Sequence, residues 1–353
     1  MKSPTKLRAG IIGLALTFYL VLQILAQFPE FVERYYSNGL YPVLTWIMTN
    51  ITARFHFSLS EFMLWFVILI GIPFIIHRIR KKSLTAGRVV LNLITTVAVV
   101  YVWFYLFWGL NYYRQPLKSK LRLDEVSLSI GAFDSTLTQI IKKCNNLSFS
   151  YSILEIEQII AEIDSSYDSA FDTLRLKKIP SQQRLKSFAF NWMLNKTMTS
   201  GWFSPWFHEV HTNSDLLIFE LPFVIAHEKA HQKGFTSETE ANFIAFLVCT
   251  NSDDPLCQYS GYFHTLNLFI LRLGADQERM AFFDDKLNQG VRFNREEIRQ
   301  RWLRHAGLIS KLSRKGYDLY LKSNNVKEGI DSYAMMVDYV VRFNEQQKWL
   351  MGK

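Results

Sequence analysis

The chain has 353 residues, of which 49% are hydrophobic and 15% aromatic, and its formal net charge is +9. It has no low-complexity tail and no fixed-period repeat, which excludes a largely disordered chain and a repeat protein. No helix-turn-helix, zinc finger or aromatic and basic strand signature accompanies the positive charge, so we expect no nucleic-acid partner.

Three apolar stretches in the first third of the chain are long enough to cross a bilayer, which takes about 20 helical residues. They cover about residues 9–28, 57–76 and 89–113. Between the first two, residues 29–56 are too polar to span, and we expect an outer amphipathic loop there. The sequence therefore predicts a membrane anchor over residues 1–113, with the lipid bilayer as a partner.

Basic residues are unevenly distributed around these spans. They precede the first span and fill the turn between the second and third, as Lys2, Lys6, Arg8, Arg78, Arg80, Lys81, Lys82 and Arg88. Short basic flanks stay in the cytoplasm, so the amino terminus and this turn are predicted to lie inside. With three spans, everything after Tyr113 then lies on the outer side.

Residues 114–353 are predicted to form a mainly α-helical domain with a small β element. Apolar residues recur at helical spacing over Ser127–Asn145, Leu154–Leu174, Leu216–Lys233, Ser237–Thr250, Tyr259–Leu273, Glu296–Leu321 and Tyr333–Phe343. The exception is Gly201–Asn213, where Pro205 and spaced aromatics favour an edge strand or extended loop. Three cysteines without a CxxC pair are expected to be buried apolar residues, and a Cys249–Cys257 bridge stays open.

The segment His227-Glu228-Lys229-Ala230-His231 fits the HExxH pattern of zinc hydrolases. On a helix, residues four apart face the same way, so His227 and His231 can bind one ion. Glu228 lies about 100° around the helix from His227, beside the metal, where it can take a proton from a zinc-activated water. The apolar run before the motif also leads these polar residues into a core, where they need partners.

A third ligand is expected shortly after the motif. Gly234 can end the first helix, and Ser237 then opens a second helix with Glu240 completing a capping box. Because that box occupies Glu240, Glu238 is the preferred ligand and Glu240 the alternative. The ion is then Zn²⁺ held by His227, His231 and Glu238.

The order HExxH, a turn, then Glu238-Thr-Glu-Ala-Asn242 resembles the gluzincins, metallopeptidases with two histidine ligands and a glutamate. The chain more closely resembles a bacterial membrane family catalogued as a domain of unknown function. The motifs that carry this likeness are Pro205–Glu209, His227–Phe243, Tyr259–Tyr262, Tyr317–Asn324 and Gly329–Tyr333. The resemblance implies a zincin-like domain in a multi-pass protein of the bacterial inner membrane, with the catalytic domain on the periplasmic side.

We therefore expect a membrane-anchored zinc metallopeptidase that hydrolyses a peptide or protein, with Glu228 as general base. A peptidase also needs a donor for the developing oxyanion. Candidates are Tyr262, His264, Tyr320 and Tyr333. Tyr262 and Tyr333 are preferred because they fall in the family-like motifs. The alternative function is a non-catalytic membrane receptor or scaffold that binds zinc.

Overall fold

The computed structural model describes residues 4–81, 85–179, 184–274, 276–323 and 335–351. Over these residues the protein is mainly helical, at 74% helix with a small three-stranded sheet, which confirms the predicted mainly α-helical class with a small β element. The zincin-like assignment of the domain stays a prediction. The first of two compact units comprises Met1–Gln115, Pro180–Ala189 and Phe203–Glu209, and the second comprises the rest of the chain. The expected domain boundary between residues 113 and 114 stays a prediction.

The first unit contains three helices that are long and apolar enough to cross a membrane. These are α1 (Pro4–Leu25), α3 (Leu59–Arg80) and α4 (Ala86–Phe107), while α2 (Tyr41–Thr52) lies between the first two. The three predicted spans are thus confirmed as helices, although the third ends at Phe107 instead of residue 113. The helix stops there because Trp108 leaves the helical conformation, with φ at −152°, before a 3₁₀ turn over Gly109–Tyr113. Which way the helices cross the membrane stays a prediction.

Two side chains from much later in the sequence form hydrogen bonds with backbone groups at helix ends in this unit. The Lys186 ammonium donates to the carbonyl oxygen of Thr52 at 3.1 Å, at the end of α2. Glu209 accepts hydrogen bonds from the backbone N–H groups of Leu59 at 2.9 Å and Ser60 at 3.0 Å, at the start of α3. Such terminal groups have no partner within their own helix. The long-range contacts therefore satisfy backbone groups that α2 and α3 cannot satisfy alone.

The helices of the second unit follow most of the predicted segments. Besides the short helix Leu117–Lys120, they are α5 (Ile130–Leu147), α6 (Ile156–Thr173), α7 (Asn191–Thr197), α8 (Leu221–Gln232), α9 (Glu238–Thr250), α10 (Pro255–Leu273), α11 (Gln277–Asp284), α12 (Gln289–His305), α13 (Leu308–Ser323) and α14 (Met336–Met351). The single helix expected over Glu296–Leu321 is wrong. The chain turns to an extended conformation at Ala306, which separates α12 from α13. Helices α7 and α11 are too short to give a periodic pattern and were not predicted.

The sheet consists of β1 (Lys186–Ser187), β2 (Gly201–Ser204) and β3 (Glu209–Thr212) in the order β1-β3-β2. The last two strands lie within Gly201–Asn213, where the sequence indicated extended structure. The two residues of β1 are too few to give an alternating pattern. Strand β2 is at the outside of the sheet.

Helix α8 is buried along its whole length, from Leu221 to Gln232, and α9 is buried from Glu238 to Cys249. A helix buried all round has no solvent face for polar side chains, so each polar side chain needs a partner in the interior. The Lys229 side chain is fully buried and its ammonium lies 2.5 Å from the Asp164 carboxylate on α6. Three other polar residues of α8, His227, Glu228 and His231, form the site described next.

Candidate metal centre

The turn between α8 and α9 fixes one of the predicted ligands. Gly234 has a φ of +84°, a conformation that glycine adopts without strain, and it turns the chain after α8. The Phe235 N–H donates to Ala230 O and the Gly234 N–H donates to His231 O, the pattern of a Schellman motif. The same turn places Phe235 O 2.7 Å from His231 Nδ1. His231 thereby donates through Nδ1 and keeps Nε2 for the centre, as metal-binding histidines do.

The three predicted ligands meet. His227 Nε2 lies 3.1 Å from His231 Nε2, and Glu238 Oε2 lies 3.1 Å from His227 Nε2 and 3.5 Å from His231 Nε2. Among the described residues, these three form a group whose ligand atoms all lie within 4.8 Å of one another. His227 and His231 are each 8% exposed, and Glu238 is 2% exposed. The trio is therefore buried and converges on one point.

The distances between these donor atoms fit a zinc ion. With zinc–ligand bonds of about 2.0–2.1 Å, tetrahedral angles place two ligand atoms about 3.3 Å apart. The three observed separations, from 3.1 to 3.5 Å, lie around that value. Two imidazole nitrogens and one carboxylate oxygen are also a common donor set for zinc with a fourth position left open. The residues present thus suit zinc in both chemistry and spacing.

The charges of the trio are strongly coupled. Burial alone would lower the pKa of His231, but the Glu238 carboxylate raises it to about 9. Burial opposes ionisation of Glu238, yet the two imidazoles hold the pKa of its carboxyl well below the usual range. The ionised carboxylate thus favours a positive charge beside the two imidazole nitrogens, which either a proton or a metal cation can supply.

Glu228 lies beside the trio and against strand β2. A methyl group built on Gly201 would come within 2.7 Å of Glu228 Oε1 and 2.7 Å of Val224 Cγ1. Only a glycine lets the backbone approach the carboxylate so closely. Glu228 is 6% exposed, so its carboxylate is confined between α8 and the first residue of β2.

Tyr317 on α13 reaches the centre although it was not among the predicted site residues. Its hydroxyl donates a hydrogen bond to Glu238 Oε1, the oxygen that does not face the histidines. Tyr317 and Glu238 are 79 positions apart in sequence. The family-like motif beginning at Tyr317 was the one signal that could have pointed to it.

The predicted capping box at the start of α9 does not form. Ser237 is the N-cap residue, as expected, but its side chain makes no capping hydrogen bond. Glu240 Oε1 accepts the backbone N–H of Leu117 at 2.6 Å. Glu240 thus has a structural partner, although a different one from that expected, and it is not part of the trio.

The candidate oxyanion residues lie in different places. Tyr262 contacts the Phe246 ring and the Lys143 ammonium, and Phe246 is two turns beyond Glu238 on α9. His264, about 200° further around α10 from Tyr262, stacks on Phe223 with ring centroids 3.7 Å apart. The structure thus does not bring Tyr262 to the trio. Tyr333 lies outside the described residues.

His264 is held as a neutral imidazole. Burial, together with the charge of His227, lowers the pKa of His264 to about 3. Its Nε2 is buried and has no hydrogen-bond partner within the part of the chain that the structure describes. Its ring therefore presents an unsatisfied polar atom close to a predicted ligand.

Comparison with protein families gives one match. The family described as "Protein of unknown function (DUF3810)" matches residues 36–341. This range is most of the chain, and the protein belongs to that family. Comparisons with curated proteins and with solved structures gave no match.

Proposed function

We propose that this DUF3810 protein is a membrane-anchored zinc metallopeptidase with a zincin-like, gluzincin-type centre. The observation that carries the proposal is the convergence of His227 Nε2, His231 Nε2 and Glu238 Oε2, at 3.1 to 3.5 Å from one another. Glu228 follows the first ligand directly, which is the place of the base in the HExxH arrangement. Three donors with a base beside them favour a catalytic site over a structural site closed by four protein ligands.

The zinc ligands and Glu228 would have separate roles in the reaction. His227, His231 and Glu238 would hold zinc, which supplies Lewis acidity that polarises a carbonyl and acidifies a water molecule. Glu228 would accept the proton of the attacking water on its carboxylate and pass it to the leaving amine. Its confinement against Gly201 would hold that carboxylate in position during both transfers.

His264 is the oxyanion donor that we favour among the four sequence candidates. It is stacked on Phe223, its Nε2 has no partner among the described residues, and the charge of His227 acts on it. A hydrogen on that nitrogen could be donated to an oxyanion forming at the attacked carbonyl. His264→Ala should then lower kcat by about 10²-fold or more while zinc binding is retained, as for loss of one oxyanion donor.

The substrate class that we propose is an extended peptide. Strand β2 is one of the two edge strands of the sheet, and its first residue lies against Glu228. An extended peptide can add to such a strand through backbone hydrogen bonds. The three apolar helices support a multi-pass membrane protein, and the distribution of basic residues favours a catalytic domain outside the cytoplasm of a bacterium.

The first test is the metal content of the purified full-length protein. We expect one zinc per chain in the wild type, loss of zinc in Glu238→Ala, and retention in Glu240→Ala, whose side chain bonds to Leu117. If zinc is instead lost in Glu240→Ala and kept in Glu238→Ala, the ligand assignment is wrong.

The second test separates catalysis from zinc binding. Glu228→Gln should keep zinc and fold but lose turnover of a quenched fluorescent peptide library. Zinc in a wild-type protein that cleaves no peptide would favour the receptor or scaffold function. Turnover that survives in Glu228→Gln would remove the general base from the mechanism.

A further inference from the structure

Helix α13 has two opposite faces, and only one of them is packed. On its inner face lie Tyr317, which bonds to Glu238, and Leu321, which is 1% exposed. Leu308, Leu312 and Leu319 are 72%, 59% and 69% exposed. At 100° per residue these three leucines fall within an arc of about 40°, roughly opposite Tyr317. Within the described part of the chain, the outer face of α13 is therefore an exposed stripe of leucine.

Basic residues follow one side of this stripe. Lys311 and Lys315 lie within about 60° of Leu308 around the helix, and both are exposed. Lys322 continues the row, although its ammonium pairs with Asp318 at 2.7 Å. We call Leu308, Leu312, Leu319, Lys311 and Lys315 the leucine–lysine face.

We propose that the leucine–lysine face docks on the surface of an anionic lipid bilayer. An apolar stripe with lysines beside it is the pattern of helices that lie in the membrane interface, where leucine enters the acyl boundary and lysine meets lipid phosphates. The positive charge of the face indicates an anionic bilayer as the binding partner, because lysines beside a leucine stripe complement an anionic headgroup layer. The three apolar helices of the same chain keep a bilayer within reach of the protein.

The test uses the full-length protein reconstituted into vesicles. A bimane probe is attached at Leu312→Cys or Leu319→Cys, and brominated phosphatidylcholine in the bilayer quenches probes that touch the acyl chains. The matched control is Leu271→Cys on α10, which is 65% exposed and lies outside the face. The three native cysteines are buried, so they should not react with the label.

In vesicles that contain phosphatidylglycerol, we expect at least twofold quenching at residues 312 and 319 and none at residue 271. Lys311→Gln with Lys315→Gln should weaken docking about 25-fold, at about fivefold for each lysine near an anionic surface. Lys142→Gln with Lys143→Gln removes the same charge elsewhere and should leave the quenching unchanged.

Two results would overturn the proposal. In the first, the probe at residue 312 is not quenched by bromolipid and stays open to aqueous iodide. In the second, that probe is protected from both quenchers while the chain cross-links to a second copy, which would assign the face to self-association.

Discussion

The contact between Tyr317 and Glu238 gives the sharpest prediction. Tyr317→Phe removes one hydroxyl and keeps the ring. In the wild type this hydroxyl donates to Glu238 Oε1, while Oε2 faces the two histidines. Loss of the donor frees the carboxylate to rotate and leaves one oxygen without its hydrogen bond. We expect weaker zinc binding with the fold intact.

The size of the effect follows from the burial of Glu238. Its side chain is 3% exposed, so water cannot readily replace the lost donor. A hydrogen bond to a charged group contributes about 1.5–3 kcal/mol, and each 1.4 kcal/mol is about a factor of ten in an equilibrium constant. Removal of the residue that orients a metal ligand weakens metal binding by about 10- to 100-fold. Because this hydrogen bond can form with or without zinc, its full energy does not appear in the zinc affinity. The loss expected from misorientation of Glu238 is about 10- to 100-fold.

The assay is a zinc titration against a fluorescent chelator, with the melting temperature measured alongside. Tyr262→Phe is the matched control, because Tyr262 contacts Phe246 and Lys143 away from the trio. Zinc affinity should be unchanged in this control. An unchanged affinity in Tyr317→Phe would refute the reasoning, since the hydroxyl would then not orient Glu238.

Three further changes test other contacts. Gly201→Ala should displace Glu228, the predicted general base, and lower peptidase activity about 100-fold. Gly131→Ala is the control, because a methyl group there would meet no neighbouring atom. Equal activities of the two variants would show that the close packing of Gly201 on Glu228 does not matter for catalysis. Asp164→Ala should lower the free energy of unfolding by about 2–3 kcal/mol, less than for a fully buried pair because Asp164 is partly exposed. Adding Lys229→Met should restore part of that loss in chemical denaturation, and no recovery would contradict the unpaired-charge explanation. Glu209→Gln should lower the free energy of unfolding by about 1.5–3 kcal/mol, because the Glu209 carboxylate accepts hydrogen bonds from two backbone N–H groups. An unchanged melting temperature would exclude that role.

The local part of the site could be predicted from the sequence because its residues are close along the chain. Helical spacing relates His227 to His231, and the glycine turn brings Glu238 back within a few residues. Contacts between distant positions leave no such spacing. Tyr317 lies 79 positions from Glu238, and Asp164 lies 65 positions from Lys229. A single sequence does not reveal which of many tyrosines or aspartates makes these contacts.

Two local predictions failed because tertiary contacts or backbone geometry decided the outcome. The sequence around Ser237 and Glu240 fits a capping box, but Glu240 Oε1 instead accepts a hydrogen bond from the Leu117 N–H. The helix expected through Ala306 has continuous apolar spacing, but the backbone is extended there. Apolar spacing describes the faces of helices better than it describes where one helix ends and the next begins.

The placement of Lys186 and Glu209 has a consequence for biogenesis. They bond to Thr52 and Ser60, which leave the ribosome 134 and 149 residues earlier. During that interval the second apolar helix is already synthesised. The Glu209 carboxylate, which accepts the backbone N–H groups at its start, and the Lys186 ammonium are not yet made. A nascent chain arrested before residue 186 therefore lacks both side chains that bond to these helix ends. Synthesis of the chain through Glu209, not insertion of the helix itself, supplies them.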